Sequence, residues 1–401
     1  MRIGIDASRA NLAQRTGTEW YAFHLTKAFF QFVRPSDTVR LYVKEPLRPE
    51  WGTLPKNVEV RVLGWPPKFL WTQLRLSAEL LRHRVDVLFV PAHTIPFLAP
   101  RNTVTTLHDI GFEHAAQLYG QQQLGPSNSF KPWLNACVRL FTLGRYGATE
   151  LDYHRFSARR ALQHCQTILT VSEYTKQDIC QTYGIEPQRV RVIPNAIDTQ
   201  AFHPSVRQDT ARMAAVATQV GLRQPYIMTI GRIEKKKNTL GLVQAFIALK
   251  KNPAHARLQL LLVGKPGVGA SEITSAIHAA GLTADVFCPG WLPEADIPAL
   301  MAGASAFVLP SFFEGFGIPV LEAMAVGTPV VCSAVTSLPE VAGDAAVLVD
   351  PHDPQAIADG VASVLADPEK QKLLQERGYT RVQQFSWARS AAQLAKVLFG
   401  Q

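Results

Sequence analysis

The chain has 401 residues, of which 47% are hydrophobic and 18% are charged, a composition typical of two or three ordinary globular domains and not of a disordered or low-complexity chain. The formal charge is +9, no apolar run approaches the roughly 18 residues of a membrane span, and the five cysteines contain no CxxC pair, so neither a disulfide framework nor a zinc cage is expected. Residues 2–6 read as a short buried strand and not as a secretory leader, so we expect a cytoplasmic protein.

The positive charge is concentrated in the first half of the chain. Residues 1–194 hold 24 Lys and Arg against 15 Asp and Glu, whereas the remainder holds 17 of each sign. Such a surplus favours nucleic acid, an anionic membrane surface or an anionic substrate as partner, or it is a solvated surface without function. Because the sequence has neither zinc-finger spacing nor a glycine-aromatic RNA-binding signature, we expect no nucleic-acid partner.

Short β-branched runs alternate with amphipathic helical stretches, which is the pattern of parallel α/β domains. The first series of predicted strands covers residues 2–5, 39–43, 58–62, 85–89, 104–107, 167–171 and 190–193. The pattern then restarts with strands at 226–230, 258–263, 286–288, 306–309 and 329–331, and with helices such as 240–250. The loop 194–204, which contains two prolines, is the natural junction between the two units, and ligand clefts are common at such junctions.

Two segments of the first unit combine aromatic side chains with basic ones. Residues 65–84 place Phe69 and Trp71 near Arg82, and residues 118–150 place Trp133 near Arg139. This composition is typical of a segment that lies on a membrane surface. A lid or an additional helix that covers the core accounts for it equally well, so both interpretations stay open.

The most informative stretch is residues 310–333, PSFFEGFGIPVLEAMAVGTPVVCS, which reads as a strand, a glycine-rich turn and a helix with Pro319 in its first turn. The amides at the start of this helix would lack partners within it, and the helix dipole favours phosphate; they belong to Gly315, Phe316, Gly317 and Ile318. Glu322 lies one turn deeper on the same face, where its carboxylate would bind hydroxyls next to the phosphates. Glu314 lies at the mouth of the turn, although each glutamate alone is also typical of a solvated or capping residue.

Further candidate residues follow strands of both units. GRIEKKKN at 231–238 places Arg232 and Lys237 at the carboxyl end of a strand, where their charges suit a diphosphate leaving group, although a charge run is also typical of a solvated loop. In the first unit, Gly17 and Thr18 open a helix after the first strand and offer a second phosphate contact. His108 ends the strand 104–107, and a histidine there is either structural or functional.

Together these motifs resemble the retaining nucleotide-sugar glycosyltransferases of family four, which have the GT-B architecture. The resemblance rests on EGFGIPVLEAMAVGTPVV and GRIEKKKN, and also on VSEYTKQDI at 171–179, VIPNAID at 192–198 and LPEVAGDAAVLVDP at 338–351. It implies an α/β fold of two facing Rossmann-like domains with parallel sheets, an acceptor-side domain over 1–200 and a donor domain over 201–385. The last helix, about 386–401, would cross back to the first domain.

The resemblance also implies a role for each candidate residue of the second domain. Arg232 and Lys237 would hold the donor diphosphate, and Glu322 would bind the ribose hydroxyls. Glu314, together with the amides of residues 315–318, would bind the transferred hexose. Trp291, just after a strand, would line the nucleobase pocket.

In the first domain, the family pattern implies that Gly17 and Thr18 touch the donor phosphates and that His108 faces the sugar ring. This chain has TGTEW where many relatives carry a second glycine. No metal and no other cofactor is implied, because the cations and helix amides would stabilise the leaving diphosphate.

The implied reaction moves a hexose from a nucleotide diphosphate sugar to an acceptor hydroxyl with retention, in cell-surface polysaccharide or lipid-linked glycan assembly. The overall likeness to mannosyltransferases makes GDP-mannose the first donor expected and UDP-sugars the second. A glycan or lipid-linked glycan acceptor agrees with a basic first half that rests peripherally on the anionic inner membrane face. The alternatives are an epimerase or phosphorylase on the same architecture and a noncatalytic sugar-nucleotide binding protein.

Overall fold

The computed structural model describes residues 1–64, 70–119, 149–223 and 225–400. The chain forms two compact units, one of Met1–Asn195 together with Ser386–Gln401, and one of Ala196–Phe385. The boundary therefore falls inside the proline-containing loop 194–204. Residues 65–69 and 120–148, which include most of the second basic-aromatic segment, lie outside the described residues.

The first unit is built on a parallel sheet of seven strands in the order β3-β2-β1-β4-β5-β6-β7. The strand at residues 2–6 lies inside this sheet, and its residues from Ile3 to Asp6 are buried on both faces. The order reverses between β1 and β4, which places the topological switch point of this unit at the carboxyl ends of those two strands. The strands are β1 (Arg2–Asp6), β2 (Thr38–Val43), β3 (Val58–Val62), β4 (Val87–Val90), β5 (Thr103–Thr106), β6 (Thr167–Thr170) and β7 (Val190–Val192).

The connections between successive strands of the first unit are long and most of them contain a helix, which is what parallel pairing requires. The helix Ser77–Arg82 continues directly from a π-helical segment, Trp71–Leu76. The other α-helices are Gly17–Phe29, Gly111–His114, Glu150–His164, Glu173–Tyr183 and Trp387–Phe399, and the short 3-10 helices are Phe30–Phe32, Pro49–Trp51, Ala116–Leu118 and Pro187–Arg189.

The C-terminal helix Trp387–Phe399 belongs to the first unit and packs on the helix Gly17–Phe29. Leu394 is fully buried, and the ring of Phe399 stacks on that of Phe29 with their centroids 6.1 Å apart. The hydroxyl of Ser390 donates to the carbonyl of Pro194 at 2.7 Å. The last residues are thus part of the core of the unit in which the chain begins.

The second unit contains a parallel sheet of six strands in the order β10-β9-β8-β11-β12-β13. Its order reverses between β8 and β11, so their carboxyl ends form the switch point of this unit. The strands are β8 (Tyr226–Ile230), β9 (Gln259–Val263), β10 (Val286–Gly290), β11 (Ala306–Leu309), β12 (Val330–Ser333) and β13 (Ala346–Val349).

Helices follow the strands of this unit, and their buried faces complete one apolar core around Phe246 and Leu260. The α-helices are Thr210–Gln219, Thr239–Lys250, Ala270–Ala279, Ile297–Gly303, Ile318–Ala325, Leu338–Ala342, Pro354–Leu365 and Pro368–Val382, and the 3-10 helices are Pro204–Gln208, Pro253–His255 and Glu294–Asp296. None of the helices in the described parts of the chain is long and apolar enough to span a bilayer.

The predicted fold class, two Rossmann-like α/β domains with parallel sheets, is confirmed. All twelve predicted strands are present, with ends that differ by at most two residues. Strand prediction missed β13, which is a partly exposed edge strand without a regular alternation of buried side chains. β13 is a strand because it pairs with β12, and the local sequence of its four residues does not predict that tertiary contact.

We expect Leu394→Ala to lower the free energy of unfolding by about 2–5 kcal/mol, because it leaves a cavity where the C-terminal helix packs on the first unit. Urea-induced unfolding followed by tryptophan fluorescence measures this change. Gln393→Ala, on the exposed side of the same helix, is the matched control and should change the unfolding free energy by less than about 0.5 kcal/mol. Equal effects of the two substitutions would show that the helix does not contribute to this core.

Candidate functional site

Two loops of the second unit meet at its switch point. The loop 231–238 leaves the carboxyl end of β8, and the loop 310–317 leaves that of the neighbouring strand β11. The amide of Phe312 donates to the carbonyl of Lys236 at 3.0 Å and joins the loops directly. The residues that the sequence singled out in these two loops are therefore neighbours in space, at the position where open α/β sheets bind ligands.

A partly buried ion pair lies between these loops. The ammonium of Lys237 donates to Oε1 of Glu314 at 2.6 Å, and the hydroxyl of Ser311 donates to the same oxygen at 2.7 Å. Glu314 is only 8% exposed. A carboxylate is stable in such a place only when it is paired and hydrogen-bonded, and these two donors satisfy that requirement.

The backbone around Glu314 is held by hydroxyls from the end of β12 and the residues that follow it. The amide of Glu314 donates to Oγ1 of Thr336 at 3.2 Å, and its carbonyl accepts from Oγ of Ser337 at 2.9 Å. Sequence analysis did not identify these side chains or Ser311. The spacing Ser-x-x-Glu at 311–314 is the signal that was available.

The helix Ile318–Ala325 begins directly after this loop, and the backbone fold of the loop requires glycine. Gly317 has φ of +97°, and a Cβ added there would lie 2.5 Å from a methyl of Leu338. Pro319 has no N–H and the amide of Val320 donates to the carbonyl of Gly317 at 3.0 Å, so the attraction for an anion here comes mainly from the helix dipole, at a helix start that directly follows the loop of the ion pair. Phe316 is buried with its ring 5.6 Å from that of Phe385, so only its backbone is able to contact a ligand.

Glu322 lies one turn into the same helix and is half-buried. Burial raises the pKa of its carboxyl to about 8, and the nearby carboxylates of Asp198 and Glu294 raise it further in the same direction. At pH 7 Glu322 is therefore predominantly a neutral acid that both donates and accepts hydrogen bonds. The electrostatic contact with Glu294 also shows that the loop after β10 lies near this helix.

The other cations of the loop 231–238 have partners of their own. Nε of Arg232 lies 3.4 Å from Oε2 of Glu234, and 55% of the Arg232 side chain is exposed. The ammonium of Lys235 lies 2.9 Å from Oε1 of Glu272. Of the three consecutive lysines, Lys237 is the one whose ammonium contacts Glu314. Asn238, to which the sequence analysis gave no role of its own, has a left-handed backbone and donates to the carbonyl of Pro351 at 2.6 Å.

The predicted nucleobase contact lies two strands from Arg232 in the same sheet. Trp291 follows Gly290 at the end of β10 and is half-buried. The ammonium of Lys265, at the end of β9, lies over its indole at 5.5 Å from the ring centroid. Lys265 did not figure in the sequence analysis, because an isolated lysine after a Gly carries no local signal.

In the first unit, Gly17 and Thr18 open the helix Gly17–Phe29 as predicted. The carboxylate of Glu19 accepts from the amide of Thr16 at 3.1 Å and lies 3.4 Å from Nη1 of Arg9. Glu19 thus supplies a negative charge at this helix start, which a phosphate has to tolerate. The two predicted phosphate contacts differ in this respect. The helix start at Gly17–Thr18 has a carboxylate in its first turn, whereas the first turn of the helix Ile318–Ala325 has no acidic residue.

His108 follows β5 and is held by packing. Its Nε2 lies 3.0 Å from the carbonyl of Pro91, and since a carbonyl only accepts, Nε2 carries the proton and Nδ1 holds a lone pair. The ring packs edge-on against Tyr21 at 4.7 Å, and burial lowers the pKa of His108 below its ordinary value. The ring is therefore neutral at pH 7 and presents an acceptor.

A pair of histidines in this unit was not identified by the sequence analysis. Nδ1 of His154 lies 3.0 Å from Nε2 of His93, although the two residues are 61 positions apart. Burial and the adjacent His154 hold the pKa of His93 well below its usual range. Among the described residues, no three His, Cys, Asp or Glu side chains are grouped so that they could hold a metal ion.

Two protein-family models match the chain. The model described as Glycosyltransferase Family 4 matches residues 17–201, and the model described as Glycosyl transferases group 1 matches residues 216–381. The matches fall almost wholly in the first and the second unit, respectively.

Curated relatives of known name include mannosyltransferases. O-antigen chain mannosyltransferase B of Escherichia coli is 33% identical over 258 residues, which cover 64% of this chain and 66% of that protein. MMP alpha-(1->4)-mannosyltransferase of Mycolicibacterium hassiacum is 30% identical over 270 residues, which cover 66% of this chain and 59% of that protein. Each match spans less than two thirds of the relative's own length.

Solved glycosyltransferase structures share the fold over the whole chain. Sucrose-phosphate synthase from Thermosynechococcus elongatus has a TM-score of 0.71 at 18% identity, with 100% of this chain and 98% of that chain covered. WaaG, a glycosyltransferase involved in lipopolysaccharide biosynthesis, has a TM-score of 0.71 at 17% identity, with both chains fully covered. At these identities the likeness shows the fold alone, and it confirms the predicted GT-B architecture.

We expect the stability contributed by Glu322 to fall as the pH rises from about 5 to 8. In this window the folded protein retains a proton on Glu322 that the unfolded chain has released, so the free energy of unfolding decreases and then levels off above about pH 8. Glutamine does not titrate in this range. The free energy of unfolding of Glu322→Gln should therefore increase relative to that of the wild type as the pH rises over the same window. Urea unfolding at a series of pH values measures the difference.

Glu376→Gln, an exposed glutamate on the helix Pro368–Val382, is the control and should show a difference that does not depend on pH. A pH-independent difference for Glu322→Gln as well would contradict the raised pKa.

Proposed function

The chain belongs to the GT4-like glycosyltransferases of GT-B architecture that resemble mannosyltransferases, and on that premise we propose that it transfers a hexose from a nucleotide diphosphate sugar to an acceptor hydroxyl with retention of configuration. The observation that carries the proposal is the contact of 2.6 Å between Lys237 and Glu314 beside the start of the helix Ile318–Ala325. It brings a cation and a carboxylate together beside a helix start, and this combination supports a donor site there.

In this proposal the donor diphosphate binds to the positive groups at the switch point. Lys237 supplies a point charge and Arg232 a planar fork, and the amides of Gly317 and Ile318 add the partial charge of a helix terminus. These groups stabilise the negative charge that develops on the departing diphosphate. We propose that the reaction needs no metal ion for this reason.

Glu314 exchanges partners when the donor binds. In the free protein its carboxylate neutralises Lys237. Once the diphosphate takes over the ammonium, the carboxylate is available to accept hydrogen bonds from hydroxyls of the transferred hexose, while Ser311 keeps it in place. Glu322, one turn deeper, binds the ribose hydroxyls. Gly17, Thr18 and His108 of the first unit are proposed as further donor contacts.

The proposed chemical step requires no protein nucleophile. The bond between the anomeric carbon and the β-phosphate oxygen breaks, and the bond between that carbon and the acceptor oxygen forms on the same face. The proton of the acceptor hydroxyl moves to the departing phosphate oxygen. The protein contributes by orienting both substrates and by stabilising the leaving group.

We propose GDP-mannose as the donor, because two of the relatives are named as mannosyltransferases. A UDP-sugar is the second candidate. A glycan or lipid-linked glycan is the proposed acceptor, since one relative acts on the O-antigen chain according to its name. Release of a nucleoside diphosphate only when an acceptor is present distinguishes this reaction from epimerisation and from binding without turnover.

The first unit offers a surface for the proposed peripheral attachment to an anionic membrane at the cytoplasmic side. Leu81 is 60% exposed and Leu98 is 54% exposed. The amide of Leu98 donates to Oγ of Ser77 at 3.1 Å, which places it beside the helix Ser77–Arg82. Arg82 and Arg84 are exposed at the end of that helix. Apolar side chains flanked by arginines are what an anionic lipid surface binds.

We expect Lys237→Ala to reduce turnover by roughly a hundredfold or more, because one preorganised donor to the leaving group is lost. The measurement is release of the nucleoside diphosphate from GDP-mannose in the presence of acceptor. Lys235→Ala is the matched control: it removes a cation from the same loop, but one that pairs with Glu272, and should cost less than about threefold. Near-normal turnover of Lys237→Ala would remove this residue from the mechanism.

For the membrane, we expect the wild type to sediment with vesicles that contain phosphatidylglycerol, in a salt-sensitive manner, and less with neutral vesicles. Replacing both Leu81 and Leu98 by Ser should weaken this binding by about tenfold. Leu373→Ser, which changes an exposed leucine of the second unit, is the control and should have no effect. Equal sedimentation of the wild type with both kinds of vesicle would refute the attachment.

A further inference from the structure

Three neighbouring loops of the second unit are joined through their backbones. The amide of Ile233, next to Arg232, donates to the carbonyl of Lys265 at 3.0 Å. The amide of Gly264 donates to the carbonyl of Gly290 at 2.9 Å. Lys265 is therefore placed between the loop that carries Arg232 and the loop that begins with Trp291, and its position is fixed relative to both.

The close approach of these loops depends on glycine. Gly264 has φ of +142°, and a Cβ added there would lie 1.8 Å from the carbonyl oxygen of Gly231. The amide of Gly267 then donates back to the carbonyl of Ile233 at 2.9 Å. Because the backbone of residues 264–267 is paired in this way, Lys265 is presented from a rigid support.

The side chain of Lys265 is directed along the sheet toward β10. Its ammonium lies 5.5 Å from the centroid of the Trp291 ring. A cation in that position is attracted by the face of the indole, so Trp291 holds the ammonium at the end of β10. The backbone hydrogen bonds fix the position of the Lys265 main chain, and Trp291 fixes the position of its ammonium.

This position is where a nucleobase has to lie if the diphosphate and ribose bind as proposed above. The strand of Trp291 is two positions from that of Arg232 and Lys237 in the sheet, a separation of roughly 10 Å. Glu294, three residues after Trp291, lies close enough to Glu322 to raise the pKa of its carboxyl. The loop 290–294 therefore lies near the residue proposed to bind the ribose.

We propose that Lys265 makes the base subsite selective for a base with a carbonyl at its edge, guanine or uracil, against adenine and cytosine, and that Trp291 is the positioning residue for it. The proposal rests on the proposed function and names the class of donor. An ammonium carries three donors and no acceptor. Guanine presents O6 and N7 as acceptors and uracil presents O4, as thymine does, whereas adenine presents N7 beside an amino group and cytosine presents an amino group at the equivalent edge.

Calorimetric titration of the full chain with GDP, UDP, ADP and CDP tests the proposal. We expect GDP and UDP to bind about tenfold or more tightly than ADP and CDP. Lys265→Met, which keeps the apolar stem and removes the donors, should bring the four dissociation constants within about threefold by weakening GDP and UDP. Lys251→Met, an exposed lysine at the far end of the helix Thr239–Lys250, is the matched control and should keep the preference of the wild type.

A second pair of variants tests the role of Trp291. Trp291→Phe retains an aromatic face for the ammonium and should keep the preference for GDP and UDP over ADP and CDP. Trp291→Leu removes that face and should lose much of the preference. An equal preference in the two variants would refute the positioning role, since a merely structural contribution affects all four nucleotides alike.

The outcomes separate this inference from the proposed function. If the wild type binds all four nucleotides equally, or if Lys265→Met keeps the full preference, the role of Lys265 is refuted while nucleotide binding stands. If the wild type binds none of the four, the proposed function is refuted together with it.

Discussion

The ion pair between Lys237 and Glu314 is the interaction on which the organisation of the second unit's site depends. It connects side chains 77 positions apart, because the strand order places β8 beside β11. A carboxylate with 8% exposure requires a partner, and removal of the Lys237 side chain leaves the charge of Glu314 in a place that water hardly reaches. The pair therefore holds two loops in register and keeps the start of the helix Ile318–Ala325 beside a cation.

The positive groups of this site are neutralised in the free protein by acids of the same unit. Lys237 pairs with Glu314, Arg232 with Glu234 and Lys235 with Glu272. This agrees with the equal numbers of basic and acidic residues in the second part of the sequence. Under the proposed function, the donor diphosphate would replace these acidic partners and would not meet a bare positive surface. The exchange lowers affinity, but the cations are held in position before the ligand arrives.

In the first unit, the polar side chains of His108 and His93 are neutral rings and not ion pairs. Burial and the basic groups around them lower the pKa of His108 and of His93, so both rings are neutral. This agrees with the surplus of positive charge in this unit. These rings therefore contribute hydrogen-bond donors and acceptors with fixed directions, and they contribute no charge. His108 has a defined tautomer because its Nε2 proton is committed to the carbonyl of Pro91.

The sequence by itself determined the alternation of strands and helices, the glycine-rich turn before Pro319 and the loops that carry the candidate residues, because these features depend on local hydrophobic pattern and backbone preference. Only the tertiary structure decided which of three consecutive lysines contacts Glu314, that Phe316 faces the core, and that Lys265 lies over Trp291. Adjacent lysines are equivalent in a pattern, and their directions depend on the loop dihedrals, such as the left-handed Asn238, and on which strands are neighbours. Contacts between residues far apart in the chain follow from that strand order, which no local pattern encodes.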